Sequence, residues 1–159
     1  MRKIAELLSL AALAALAFIN INVFYGPHPL PGRIPTHFDA LGHVNGWGSP
    51  RTLLFFPVFA AVLYLFLTVI ARFPALFNYP IKVTERNRAQ LEQITLNLIS
   101  WIKAEMLLFF AWMEFAMVQA VRSSEQSFKP YPVWVFVAIL LATIIGHMMA
   151  VFRAAKAAQ

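Results

Sequence analysis

Residues 53–71 read LLFFPVFAAVLYLFLTVIA and are bracketed by Arg51 and Arg72. The run carries no charge. At 1.5 Å per residue its helix would be ~28 Å long, close to the ~30 Å hydrocarbon core of a bilayer. A helix satisfies its own backbone hydrogen bonds, so a single segment can cross lipid without a closed barrel. The stretch therefore predicts a membrane-spanning helix. Three more runs repeat the pattern: residues 4–25, the apolar part of residues 85–121, and VWVFVAILLATIIGHMMAVF at 133–152.

The composition agrees. Of the 159 residues 60% are hydrophobic and only 13% charged, and mean hydropathy is +0.68. A water-soluble domain of this size cannot hide that much apolar surface, so the natural solvent is lipid. The net charge of +6 does not point to nucleic acid, because the basic residues sit at the ends of apolar runs instead of on one polar face. Cysteine is absent, which excludes disulfides, thiolate metal sites and thiol nucleophiles.

Met1, Arg2 and Lys3 followed by an apolar stretch resemble a signal peptide, and Ala15-Leu16-Ala17 resembles a cleavage site. The apolar run continues through Phe18, Ile19, Ile21, Val23 and Phe24, which predicts an uncleaved first membrane helix. With the N-terminus inside, nine Lys and Arg fall on the inner side (Arg2, Lys3, Arg72, Lys82, Arg86, Arg88, Lys103, Arg153, Lys156) and four on the outer (Arg33, Arg51, Arg122, Lys129). The positive-inside rule then places both termini in the cytoplasm, with residues 26–52 facing out. Tyr131 and Trp134 anchor the fourth helix at the outer interface, and Trp101 the third at the inner one.

The third helix exceeds the membrane. Thr84 is a candidate N-cap, and ERNRAQLEQITLNLISWIK follows it without Gly or Pro. Residues 85–121 would span ~55 Å as a helix, so several turns extend into the cytoplasm or lie along its surface.

The outer loop holds five of the six glycines and five of the ten prolines. Pro27, Pro29, Pro31 and Pro35 stiffen its entry. Gly42, Gly46 and Gly48 permit positive φ, and Asn45-Gly46 is a turn dipeptide. The loop is expected to be ordered by turns and proline, not by regular structure. His37, Asp39 and His43 are metal candidates by ligand type, but no HxxxH pair holds two ligands on one helix face. The plainer reading makes His37 and Asp39 turn caps in contact with interfacial water.

LPGRIPTHFDALGHVNGWGSP, followed by Phe55, Phe56 and Pro57, resembles the N-terminal segment of SdpI-type proteins. These form a bacterial membrane family that includes the immunity factor against a sporulation-delaying toxin. Pro31, Arg33, Pro35, His37, Phe38, Gly42, Gly46, Trp47, Gly48 and Ser49 carry the resemblance, with Asp39 at a position where the family has Asn or Asp. Asn45 stands where the family pattern is acidic, and Pro50 where it often has Lys. The resemblance covers about residues 25–60 and does not extend to the immunity factor's C-terminal membrane segment. It implies a structural or partner-binding motif and no enzyme activity.

Within the bilayer, Glu114 falls near the middle of the third helix, where a charge costs ~2.5–3.5 kcal/mol on insertion scales. It is expected to be a proton or ion site, or a protonated carboxyl bonded to a neighbouring helix. Asn20, Asn22, Thr68 and Gln119 are the candidate partners. Lys103 and Glu105 are expected to snorkel to the inner interface. His147, beside Gly146, either bonds across helices or ligates the metal of a porphyrin-type pigment. No cofactor is required, and a bound lipid and a porphyrin-type pigment at His147 are the candidate ligands.

Together these features predict an all-α integral membrane protein of four transmembrane helices. Its expected role is that of a non-enzymatic accessory subunit packed against another membrane protein or complex. SdpI-like immunity is the alternative, and a small proton-coupled carrier built on Glu114 is the third.

Overall fold

The computed structural model describes residues 1–123 and 129–156. Among these residues four helices are long and apolar enough to cross a membrane. Helix α1 is Arg2–Tyr25, α2 is Phe55–Ile70, α3 is Glu85–Arg122 and α4 is Tyr131–Lys156. A 3-10 turn at Pro50–Leu54 leads into α2, with Ser49 Oγ accepting from the Arg51 N–H.

Helix α3 is the axis. It packs against α1, α2 and α4, most extensively against α1. Cross-links at known heights set the directions. Glu6 near the start of α1 meets Lys103, and Asn20 near its end meets Glu114, so α1 and α3 run parallel. Glu105 meets Thr143, while Leu91 packs near Val151 and Ala154, so α4 runs antiparallel to α3. One end of the bundle thus gathers the chain start, the α2–α3 connection and the end of α4. The other end carries residues 26–54.

Small side chains let α1 approach α3 closely, as helices in lipid require. Ala5, Ser9, Ala12 and Leu16 form one buried stripe of α1, and Ala12 and Leu16 share a core with Leu107, Ala111 and Ala60. Aromatic contacts fix the outer helices: Phe136 of α4 stacks on Phe109 at 4.0 Å between centroids, and Phe59 of α2 meets Phe110 edge-on at 5.6 Å.

The predicted start of α3 is a complete capping box. Asn87 N–H donates to Thr84 Oγ1, and Thr84 N–H donates to Asn87 Oδ1. The first turns of α3 do not hang free, because Leu91 is buried among Val151, Ala154, Tyr79 and Ile81.

The expectation of a loop without regular structure is corrected. Ile34–Phe38 (β1) and Val44–Gly48 (β2) pair as an antiparallel hairpin. Asn45-Gly46 lies inside β2 and makes no turn. The reversal falls at Asp39–His43, where Asp39 Oδ1 accepts from the N–H groups of Leu41 and His43 and Gly42 adopts φ 89°. A carboxylate that caps two amides outcompetes the local preference of Asn-Gly.

Candidate functional site

At its far end the bundle is capped by the hairpin. Ile34 and Pro35 are fully buried, and Ile34 joins Leu53, Val23, Met117 and Val118 in a core that seats the hairpin on α1 and α3. Glycine is required in β2 for cross-strand approach. A Cβ on Gly46 would stand 2.8 Å from His37 Cβ, and one on Gly48 would stand 2.9 Å from Thr36 Cγ2. Gly46→Val is therefore expected to weaken the hairpin by ~1–3 kcal/mol, the range for an overpacked contact. Amide exchange over residues 34–48 should accelerate about 5- to 150-fold while α3 remains protected.

The motif residues divide by face. His37 Nδ1 bonds Asn45 Oδ1, and His43 Nδ1 donates to Asp39 Oδ2 at 3.2 Å. The three metal candidates are thus split, His37 being held by Asn45 and His43 by Asp39, and no three His, Asp or Glu side chains converge among the described residues. Pro31, Arg33 and Trp47 are exposed.

The backbone N–H of His43 holds the Asp39 carboxyl below the ordinary aspartate range. The Leu41 N–H and the His43 imidazole act in the same direction. A lowered folded value means stability that is present above the unfolded value of about 4 and is lost as pH falls through the folded value. The hairpin turn should therefore loosen on acidification below about pH 4. NMR shifts of the Leu41 and His43 amides in detergent should report it, and Asp39→Asn should flatten the response.

Under the hairpin, α2 and α4 flank α3 without an extensive interface between them. The space between is a groove of about 910 Å³. Its mouth carries Thr36, His37, Asp39, Arg51 and Thr52. Its walls are Phe55, Phe56 and Val58 of α2, Met113 and Met117 of α3, and Val133 and Trp134 of α4. Arg51 has no carboxylate partner among the described residues. The groove is polar at the hairpin and apolar along the helices, which suits an amphipathic occupant.

Residues 11–61 match the family model described as Domain of unknown function (DUF1648). No curated protein and no solved structure matches the chain. The DUF1648 segment comprises most of α1, the whole hairpin and the first part of α2. It contributes the cap and one wall of the groove, and α3 and α4 supply the rest.

Two polar levels lie inside the bundle. At the hairpin level Glu114 is fully buried, and its Oε1 accepts from Asn20 Nδ2 at 2.7 Å, so Asn20 is the partner among the four candidates. Asn22 bonds its own helix at Phe18 O, Thr68 binds Lys103, and Gln119 is exposed.

At the opposite level the snorkelling expectation is corrected. Lys103 is buried, with Nζ 2.7 Å from Glu6 Oε2, 3.0 Å from Thr68 Oγ1 and 4.4 Å above the Tyr64 ring. Tyr64 OH donates to Glu6 Oε1 at 2.5 Å. Three helices close around the ammonium, and a carboxylate, a hydroxyl and an aromatic face compensate its removal from water. Glu105 also turns inward and accepts from Thr143 Oγ1 of α4 at 2.6 Å. Glu6 is the residue that sequence reasoning missed. The signal was present, since it is the one acid in α1.

His147 Nδ1 donates to Thr143 O of its own helix at 2.8 Å instead of crossing to another, which leaves Nε2 as the free ring nitrogen. The adjoining cleft is about 320 Å³, at the small end of ligand pockets. A macrocycle there would need further cover from lipid or a partner.

Proposed function

We propose that the chain is a non-enzymatic accessory subunit of the bacterial cytoplasmic membrane that packs against another integral membrane component. The hairpin-capped groove supports this reading. A partner's membrane segment entering between α2 and α4 would cover Phe55, Val58, Val133 and Trp134 and meet Arg51 at the interface. With Lys103 internal, the basic count becomes eight at the end holding the termini (Arg2, Lys3, Arg72, Lys82, Arg86, Arg88, Arg153, Lys156) against four at the hairpin end (Arg33, Arg51, Arg122, Lys129). That balance favours cytoplasmic termini and an external hairpin.

Extraction from native membranes in mild detergent tests the reading. A particle of fixed stoichiometry that cross-links to one partner through a photoreactive residue at Val58 is the expected result. A particle holding this chain alone would refute it. The absorption spectrum of the same particle tests pigment ligation at His147.

A second reading, SdpI-like immunity, draws on the SdpI-like motif and on its place over the groove, where a membrane-active peptide would be held. It requires protection of a toxin-sensitive cell that is lost in Gly46→Val. The carrier reading draws on Glu114 alone, and it predicts transport abolished by Glu114→Gln.

A further inference from the structure

The partners of Asn20 and Glu114 do not balance with an ionised carboxyl. Asn20 Nδ2 spends its two N–H bonds on Leu16 O at 2.9 Å and Glu114 Oε1 at 2.7 Å. Asn20 Oδ1 and Glu114 Oε2 are both buried and both lack a partner. Each is an acceptor when the carboxyl is ionised, and an unsatisfied buried acceptor is costly, more so when charged.

A carboxylic acid and a primary amide correct this with one proton. The amide donates N–H to one carboxyl oxygen, and the acid donates O–H from the other to the amide oxygen. The first of these bonds is present. The second would join the two orphaned atoms. We infer that Glu114 is a proton-binding site: it is held as a neutral carboxylic acid in a two-bond ring with Asn20, which locks α1 to α3 beneath the hairpin.

The surroundings agree. On α3, Glu114 lies between Ala111 of one apolar core and Met117 and Val118 of the next. No ion pair among the described residues includes it. The other charged groups of this stretch of α3 are Lys103, Glu105 and Arg122. They stand eleven, nine and eight positions along the helix, at least ~12 Å away along its axis. Helix α2 has no charged residue, α1 has only Arg2, Lys3 and Glu6 at its other end, and in β1 the one titratable group is His37, engaged with Asn45. No cation is placed to hold a carboxylate at this level. The inference goes beyond the accessory reading, since it concerns a seam that does not line the groove.

Infrared spectroscopy of the full-length protein in lipid or detergent at pH 7 tests it. The wild type should show the carbonyl stretch of a protonated carboxylic acid, and the wild-type minus Glu114→Gln difference should assign it. Glu105→Gln, which removes the other carboxyl among the described residues with a buried free oxygen, should leave that difference intact. Glu114→Gln should fold with a midpoint close to wild type, because its amide N–H replaces the acid O–H in the ring. Asn20→Leu should shift the band toward that of a free acid. A wild-type spectrum without a protonated-acid band overturns the inference with no variant needed. So does a carboxylate band that disappears in Glu114→Gln, or a Glu114→Gln protein that cannot fold.

Discussion

Glu6→Ala will destabilise the bundle by ~3 kcal/mol, read as a fall in the unfolding midpoint in mixed micelles. Removing one partner of a buried ion pair costs ~3–5 kcal/mol, because the other charge is left uncompensated. The lower end applies since the Glu6 side chain is 38% exposed, whereas that of Lys103 is 5% exposed. Without Glu6, the ammonium keeps only Thr68 Oγ1 and the face of Tyr64. The asymmetry is diagnostic. Lys103→Met should cost less than Glu6→Ala, because Glu6 can rehydrate and retains Tyr64. The double variant Glu6→Gln/Lys103→Met should recover most of the loss, since it removes both charges together and keeps an acceptor oxygen for Tyr64. Equal losses in both single variants would show that the ammonium is not the costly group.

Ala12→Phe comes next in size. Ala12 is 2% exposed and belongs to the core where α1 meets α2 and α3. Helix association in lipid depends on close backbone approach through small residues, because the tails themselves are apolar. A phenyl ring there must push α1 away from α3 at a cost of ~3 kcal/mol, at or above the upper limit for overpacking. That movement would also stretch both polar levels, so the loss should exceed that of Ala11→Phe on the exposed side of the same turn. Comparable losses at the two positions would mean that α1 is not packed through this stripe.

The four helices were legible because lipid imposes a simple demand, a long and predominantly apolar run, and the chain meets it four times. The α3 cap was legible for a local reason: Thr84 and Asn87 are three residues apart and satisfy each other. The hairpin was not, because its short strands contain Pro35, Gly46 and Gly48 and show no clean alternation. Its register depends on Ile34 and Pro35 being buried by residues far along the chain. The Asn20–Glu114 contact was within reach, since an intramembrane carboxyl calls for a polar neighbour. The fate of Lys103 was not, because its partner is 97 residues away and helical periodicity carries no information about which helices meet. The groove was illegible for the same reason: its walls come from three helices and a hairpin.

The Glu6–Lys103 bridge also sets a schedule for synthesis. Ribosomes add about 5–20 residues per second, so the carboxylate emerges about 5–20 s before the lysine that neutralises it. Through that interval Glu6 has only Arg2 and Lys3, one turn away in α1, as counter-charges, and its part-exposed side chain can stay hydrated. The bridge itself cannot close until the third helix arrives, so the α1–α3 seam is completed at this level only after α2 has been made.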